Sequence, residues 1–167
     1  MTVSETPNLG VYLAHERMRD SQIEMIVDGI DSLSSRGFLL AAAPTGIGKT
    51  AAALASALHV ANSREENGLK PKIVFMTGRQ SQHRIVVDTV RMINSRLPSG
   101  VPRVKLVDII GREGMCEVID KSTGKCNCEQ GTTEEGGQRK RSIMRDIILS
   151  EPRHVEWGIK YGKQEKV

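Results

Sequence analysis

Three stretches of the chain repeat an apolar residue every three or four positions and so read as helices. Residues 20–36 place Ile23, Ile26, Val27, Ile30 and Leu33 on one face. Ser21 and Glu24 have the spacing of a capping box at the start, and Gly37 supplies a stop. Residues 49–62 are alanine-rich with Leu54 and Leu58 four apart, so propensity and pattern both favour helix. Residues 81–97 carry a third stripe, Val86, Val90, Ile93 and Leu97, broken by Pro98, Gly100 and Pro102. Between these lie apolar runs without helical period, at residues 38–42, 72–77 and 104–109, each long enough for one buried strand. Strand, helix, strand, helix, strand over residues 38–109 predicts an α/β fold, a parallel sheet with flanking helices. Residues 1–12 read as a loose lead-in. Beyond residue 111 periodicity is lost until residues 141–149, where a helix is expected. The predicted organisation is a main domain over 1–111 and an inserted, cysteine-containing subdomain over 112–167.

The turn between the first predicted strand and the helix after it carries chemistry. It reads Ala43, Pro44, Thr45, Gly46, Ile47, Gly48, Lys49, Thr50, a phosphate-binding loop with Ala43 where the pattern has its first glycine. Glycines there permit backbone angles that side chains block, so that consecutive N–H groups can surround phosphate oxygens. A helix beginning at Lys49 adds its positive N-terminal end. Lys49 is expected to reach the β- and γ-phosphates of ATP and Thr50 to ligate Mg²⁺, which makes these two the candidate catalytic residues.

Composition adds constraints. With 167 residues the chain fits one domain of ordinary size. Hydrophobic residues make up 38% but aromatics only 3%, so a core must rest on Ile, Val, Leu, Met and Ala. A net charge of +4 suits an anionic partner and equally suits a solvated basic face. No stretch approaches the roughly 18 apolar residues of a membrane span, and the first ten residues lack a signal peptide's apolar centre. A cytoplasmic protein without a membrane partner is the expectation. Cys116, Cys126 and Cys128 are an odd number, better read in a reducing compartment as metal or cluster ligands than as disulfides. Unpaired surface thiols are the alternative, and His154 is a candidate fourth ligand.

Several segments together resemble a known family. Residues 15–22 are similar to the P-Y-E-x-x-R-x-x-Q entry of XPD-like helicases, the iron–sulfur branch of superfamily 2: Arg19 and Gln22 match, while Ala14 and His15 stand in place of Pro-Tyr. Residues 44–50 resemble that family's motif I, and residues 77–82 its motif Ia. Residues 111–116 resemble the segment that holds its first cluster cysteine. The resemblance covers residues 15 to about 128 and implies an ATP-dependent DNA helicase with two RecA-like motor domains. It implies a [4Fe–4S] cluster on Cys116, Cys126 and Cys128, with the fourth ligand elsewhere. It further implies nucleotide binding by Arg19, Gln22 and the loop, with single-stranded DNA as partner through Thr77, Arg79 and Gln82. Side-chain chemistry agrees: a glutamine amide can pair with an adenine edge, and hydroxyl, guanidinium and amide groups suit a nucleic-acid backbone. Arg84, Arg91 and Arg96 read instead as a solvated helix face.

The family's Walker B box, D-E-x-H, does not occur, and the chain stops at Val167 in a hydrophilic stretch. The expectation is an N-terminal part of a longer helicase, with the remaining chain as partner, and no useful ATP hydrolysis from this part alone. A different P-loop ATPase with a zinc-binding cysteine region, or an interaction module with a vestigial loop, are the competing readings.

Overall fold

A computed structural model describes residues 9–64, 69–115, 120, 122–123 and 135–164. The helices are α1 (Asp20–Ser34), α2 (Lys49–Ser63), α3 (Gln80–Arg96), α4 (Arg112–Met115), α5 (Glu135–Ser150) and α6 (Val155–Gln164). Two compact units divide the chain. One comprises Met1–Gly78 and Asp88–Val104, the other Arg79–Val87 and Lys105–Val167, so α3 contributes to both.

The predicted parallel sheet is not formed: no strand is present among the described residues. The three apolar runs alternate in exposure as a pleated strand would, with Phe38 at 101% and Leu39 at 43%, Val74 at 80% and Phe75 at 41%. Their backbones nevertheless make no ladder, and the outward side chains, including Leu40, Met76, Val107 and Ile109, stand in the open. A parallel sheet needs strands paired edge to edge and helices over both faces. Here α1 and α2 bury their apolar faces against each other instead.

That pairing organises the first unit. Gln22 meets Gly48, Ile26 and Gly29 meet Ser56, and Ser34 accepts a bond from Arg64, so α1 and α2 run side by side in the same direction. Small residues let them approach closely. A Cβ on Gly29 would stand 2.5 Å from Ser56 Oγ, and Ser56 Oγ donates within 3.2 Å of the Ile26 carbonyl. Ile26, Ala52 and Ala55 form the buried centre, with Leu9, Leu13, Met18, Met25 and Ile30 packed against it. The expected loose lead-in is thus tied down from Leu9 onward, with Tyr12 and Ala14 buried as well.

Helix ends depart from the simplest reading. The cap of α1 is Arg19, in extended conformation and without a side-chain cap bond, so the Ser21–Glu24 box does not form. Its C-terminus is a Schellman turn: Gly37 N bonds Ser32 O at 2.7 Å and Arg36 N bonds Leu33 O at 3.2 Å. The left-handed residue is Arg36, at φ 58, not Gly37. On α3, Val86, Val87, Val90 and Ile93 are buried, while Arg84, Arg91 and Arg96 are exposed. Asn94 pairs its amide with both backbone groups of Val104, at 3.0 and 2.8 Å, anchoring the run after the proline turn.

Candidate functional site

Parallel packing brings the start of α1, the glycine loop and the start of α2 to one end of the first unit. Gly46 and Gly48 both take left-handed backbone, at φ 85 and 87. Gly48 is the N-cap of α2, and its carbonyl accepts the first helical bond from Ala52 N at 3.0 Å. Glycine suits the position on a second ground, because a Cβ would lie 2.6 Å from Gln22 Nε2 and the buried amide would have to shift. Lys49 opens α2 and folds back over the loop. Its Nζ donates to Ala43 O at 2.7 Å and to Pro44 O at 2.8 Å, so the ammonium sits inside the curl of residues 43–49.

Two side chains from the α1 end complete the loop. Arg19, exposed on its outer side, donates from a guanidinium nitrogen to Gly46 O at 2.8 Å. Gln22, 5% exposed, turns Nε2 to Gly48 O at 3.4 Å, a long contact. Of the sequence-selected nucleotide residues, Arg19, Gln22, Ala43, Pro44, Gly46, Gly48 and Lys49 are joined by these bonds. Thr45 is exposed, while Ile47 and Thr50 are half-buried at the loop's end and helix start. The electrostatics favour an anion: two helix N-termini point the same way, with Lys49 and Arg19 beside them.

The candidate DNA residues are divided between the two units. Thr77 ends the second apolar run in the first unit, half-buried, whereas Arg79 and Gln82 are exposed at the start of α3 in the second. Gln82 N bonds Arg79 O at 3.0 Å, the first turn of the helix, and each of the three residues also makes other internal interactions. Cys116, Cys126 and Cys128 lie outside the described residues. Among the described residues no group of three or more His, Cys, Asp or Glu side chains is placed to hold a metal ion.

The second unit holds a cluster centred on Asp108, of which sequence reasoning singled out only His154, as a candidate fourth ligand for the cysteines. Asp108, its side chain 7% exposed, accepts from His83 Nδ1 at 2.6 Å and from Val155 N at 2.9 Å. His154 Nε2 stands 3.7 Å from Oδ2, the oxygen that accepts from Val155 N. The carboxylate therefore caps the first turn of α6 from a distant segment, and His154 lies beside that cap. Partners 25 and 47 residues away leave no local signal. On α6 itself, Trp157 and Tyr161 stack with centroids 5.0 Å apart, and the Arg153 guanidinium lies 3.9 Å from the Trp157 ring centre.

The chain matches no family model, no curated protein and no solved structure. No helix among the described residues is long and apolar enough to cross a membrane.

Proposed function

We propose that this chain binds a nucleoside triphosphate with Mg²⁺ through residues 43–50, as the N-terminal part of an ATP-dependent DNA helicase of the XPD-like iron–sulfur kind. The observation that carries the reading is the position of Lys49. It is the first residue of α2, preceded by two left-handed glycines, and its Nζ lies within 2.8 Å of two loop carbonyls. Carbonyl oxygens are weaker partners for an ammonium than phosphate oxygens. An incoming β,γ-phosphate would therefore draw Nζ off Ala43 O and Pro44 O. Loop N–H groups and the end of α2 would take the remaining phosphate oxygens, and Thr50 would offer its hydroxyl to Mg²⁺. Adenine recognition by Gln22 needs its amide to exchange the Gly48 carbonyl, 3.4 Å away, for the edge of the base, so that the buried amide would keep a partner.

The helicase part of the proposal rests on the resemblance of residues 15–22, 44–50, 77–82 and 111–116. It assigns Thr77, Arg79 and Gln82 to single-stranded DNA and Cys116, Cys126 and Cys128 to a [4Fe–4S] cluster, in a cytoplasmic protein whose thiols stay reduced. Hydrolysis additionally requires acidic Mg²⁺ ligands and a charge that closes on the γ-phosphate.

Titration with Mg–ATP, Mg–ADP and AMP tests the loop. Tight binding of the first two and weak binding of AMP is expected, because the cradle addresses the β-phosphate. Equal affinity for all three contradicts it. Iron and acid-labile sulfide in the purified protein are expected for the cysteine region, and zinc in their place favours the other P-loop ATPase.

A further inference from the structure

The Arg19–Gly46 bond does more than tie two segments together. A trans peptide fixes its C=O and the following N–H in opposite directions, and no described peptide bond is cis. Gly46 has the freest backbone of the loop: φ is 85 and nothing stands within 4 Å of where a Cβ would be. Left alone, the plane between Gly46 and Ile47 could rotate and turn either face to a bound anion. Arg19 Nη1 holds the Gly46 carbonyl at 2.8 Å, which directs the Ile47 N–H away from the guanidinium. Gln22 acts in the same way two peptide planes later. Its Nε2 faces the Gly48 carbonyl at 3.4 Å, and that carbonyl also accepts Ala52 N, so the Lys49 N–H is directed along the start of α2.

The geometry points to Arg19, seconded by Gln22, as a positioning residue that presets the loop's amides for phosphate, whatever base the nucleotide carries. This rests on the phosphate-loop reading and adds a role to it. The α1 end is a template that sets peptide directions in the loop before the ligand arrives. Rigid seating of α1 on α2 at Gly29 and Ser56 is what lets it serve as one. Preorganisation of this kind reduces the ordering cost of binding. Its loss should therefore weaken every polyphosphate alike.

The test uses the whole chain and three probes, Mg–ATP, Mg–GTP and inorganic tripolyphosphate, the last having no base or ribose. Each is titrated at low and high salt into the wild type, Arg19→Ala and Arg19→Lys. Circular dichroism and the thermal midpoint check that the variants fold. Arg19→Ala is expected to weaken all three probes by a similar factor, about tenfold, the size of a charge-assisted hydrogen bond. The ATP-to-GTP ratio stays constant. The deficit persists at high salt, where a merely long-range charge effect fades. Arg19→Lys, which keeps a donor in reach, recovers part of it. Hydrogen exchange at the Ile47 amide changes in Arg19→Ala without added ligand, because the peptide plane is released. Unchanged tripolyphosphate affinity in Arg19→Ala overturns the inference while leaving the loop reading intact, as does a deficit confined to ATP or one that vanishes in salt. A wild type that binds none of the three overturns both.

Discussion

Replacing Gly48 with alanine separates two causes that the loop combines. Gly46 and Gly48 have nearly the same φ, 85 and 87, but different surroundings. A Cβ at Gly46 meets nothing within 4 Å, whereas one at Gly48 lies 2.6 Å from Gln22 Nε2 and 3.3 Å from its Cδ. Left-handed backbone costs an L-residue about 1–2 kcal/mol, and both variants bear it. Gly48→Ala must also drive the buried Gln22 amide away from the Gly48 carbonyl, which adds about 1–3 kcal/mol for a polar group left unpaired. The expected loss of stability is therefore about 1–2 kcal/mol for Gly46→Ala and about 2–5 kcal/mol for Gly48→Ala. Urea unfolding of both variants measures it. In the double variant Gln22→Ala/Gly48→Ala the clash is gone, so the two changes should cost less together than their sum. Equal losses for Gly46→Ala and Gly48→Ala, or strict additivity of the double variant, would refute the packing of Gln22 on the loop.

Three further outcomes follow from other parts of the molecule. Gly29→Ala puts a methyl 2.8 Å from Ser56 Cβ, so the α1–α2 pair must separate; a loss of about 1–3 kcal/mol in urea unfolding is expected, partly restored by Ser56→Gly. Asp108→Ala removes the cap of α6 and the partner of His83 and should cost about 0.5–2 kcal/mol, with faster hydrogen exchange at Val155; unaltered exchange there contradicts the cap. Asp120 is held at about 2, below its ordinary 3.8, first by the Ser122 hydroxyl and then by Ser122 N and Thr123 Oγ1. Because the folded value is the lower one, the turn's stabilisation is present above pH 4 and is lost as pH falls through about 2. A carboxyl titration by NMR should move back toward 3.8 in Ser122→Ala.

Local pattern made the helices legible but misled about the sheet: the strand–helix alternation over residues 38–109 predicted parallel strands, and no strand forms among the described residues. Ile23, Ile26 and Ile30 repeat at helical spacing, and the helix they mark begins at Asp20 as expected. The conformation of the glycine loop was equally readable, because it depends on adjacent residues: two left-handed glycines and a helix that starts at Lys49. Residues 72–77 and 104–109 have strand-like composition, but a strand is completed by a neighbour's backbone, which composition cannot supply. Arg19 and Gln22 were selected by resemblance, yet their bonds to Gly46 and Gly48 cross 27 and 26 residues and come from helix packing. That packing turns on Gly29 against Ser56, a pair of small residues that no hydrophobic stripe marks. The α6 helix was missed because it is short, only 10 residues, and the carboxylate that caps it stands at position 108.

The central claim is that Lys49 holds the phosphates of a nucleotide. Calorimetric titration of Mg–ATP into the wild type and Lys49→Ala tests it most directly. Removing the ammonium leaves phosphate charge unpaired in the loop, so affinity should fall by about 2–5 kcal/mol, while the α2 helix still forms. Saturable binding by the wild type that nearly vanishes in Lys49→Ala is the predicted result. Equal affinity in the two proteins would contradict the account.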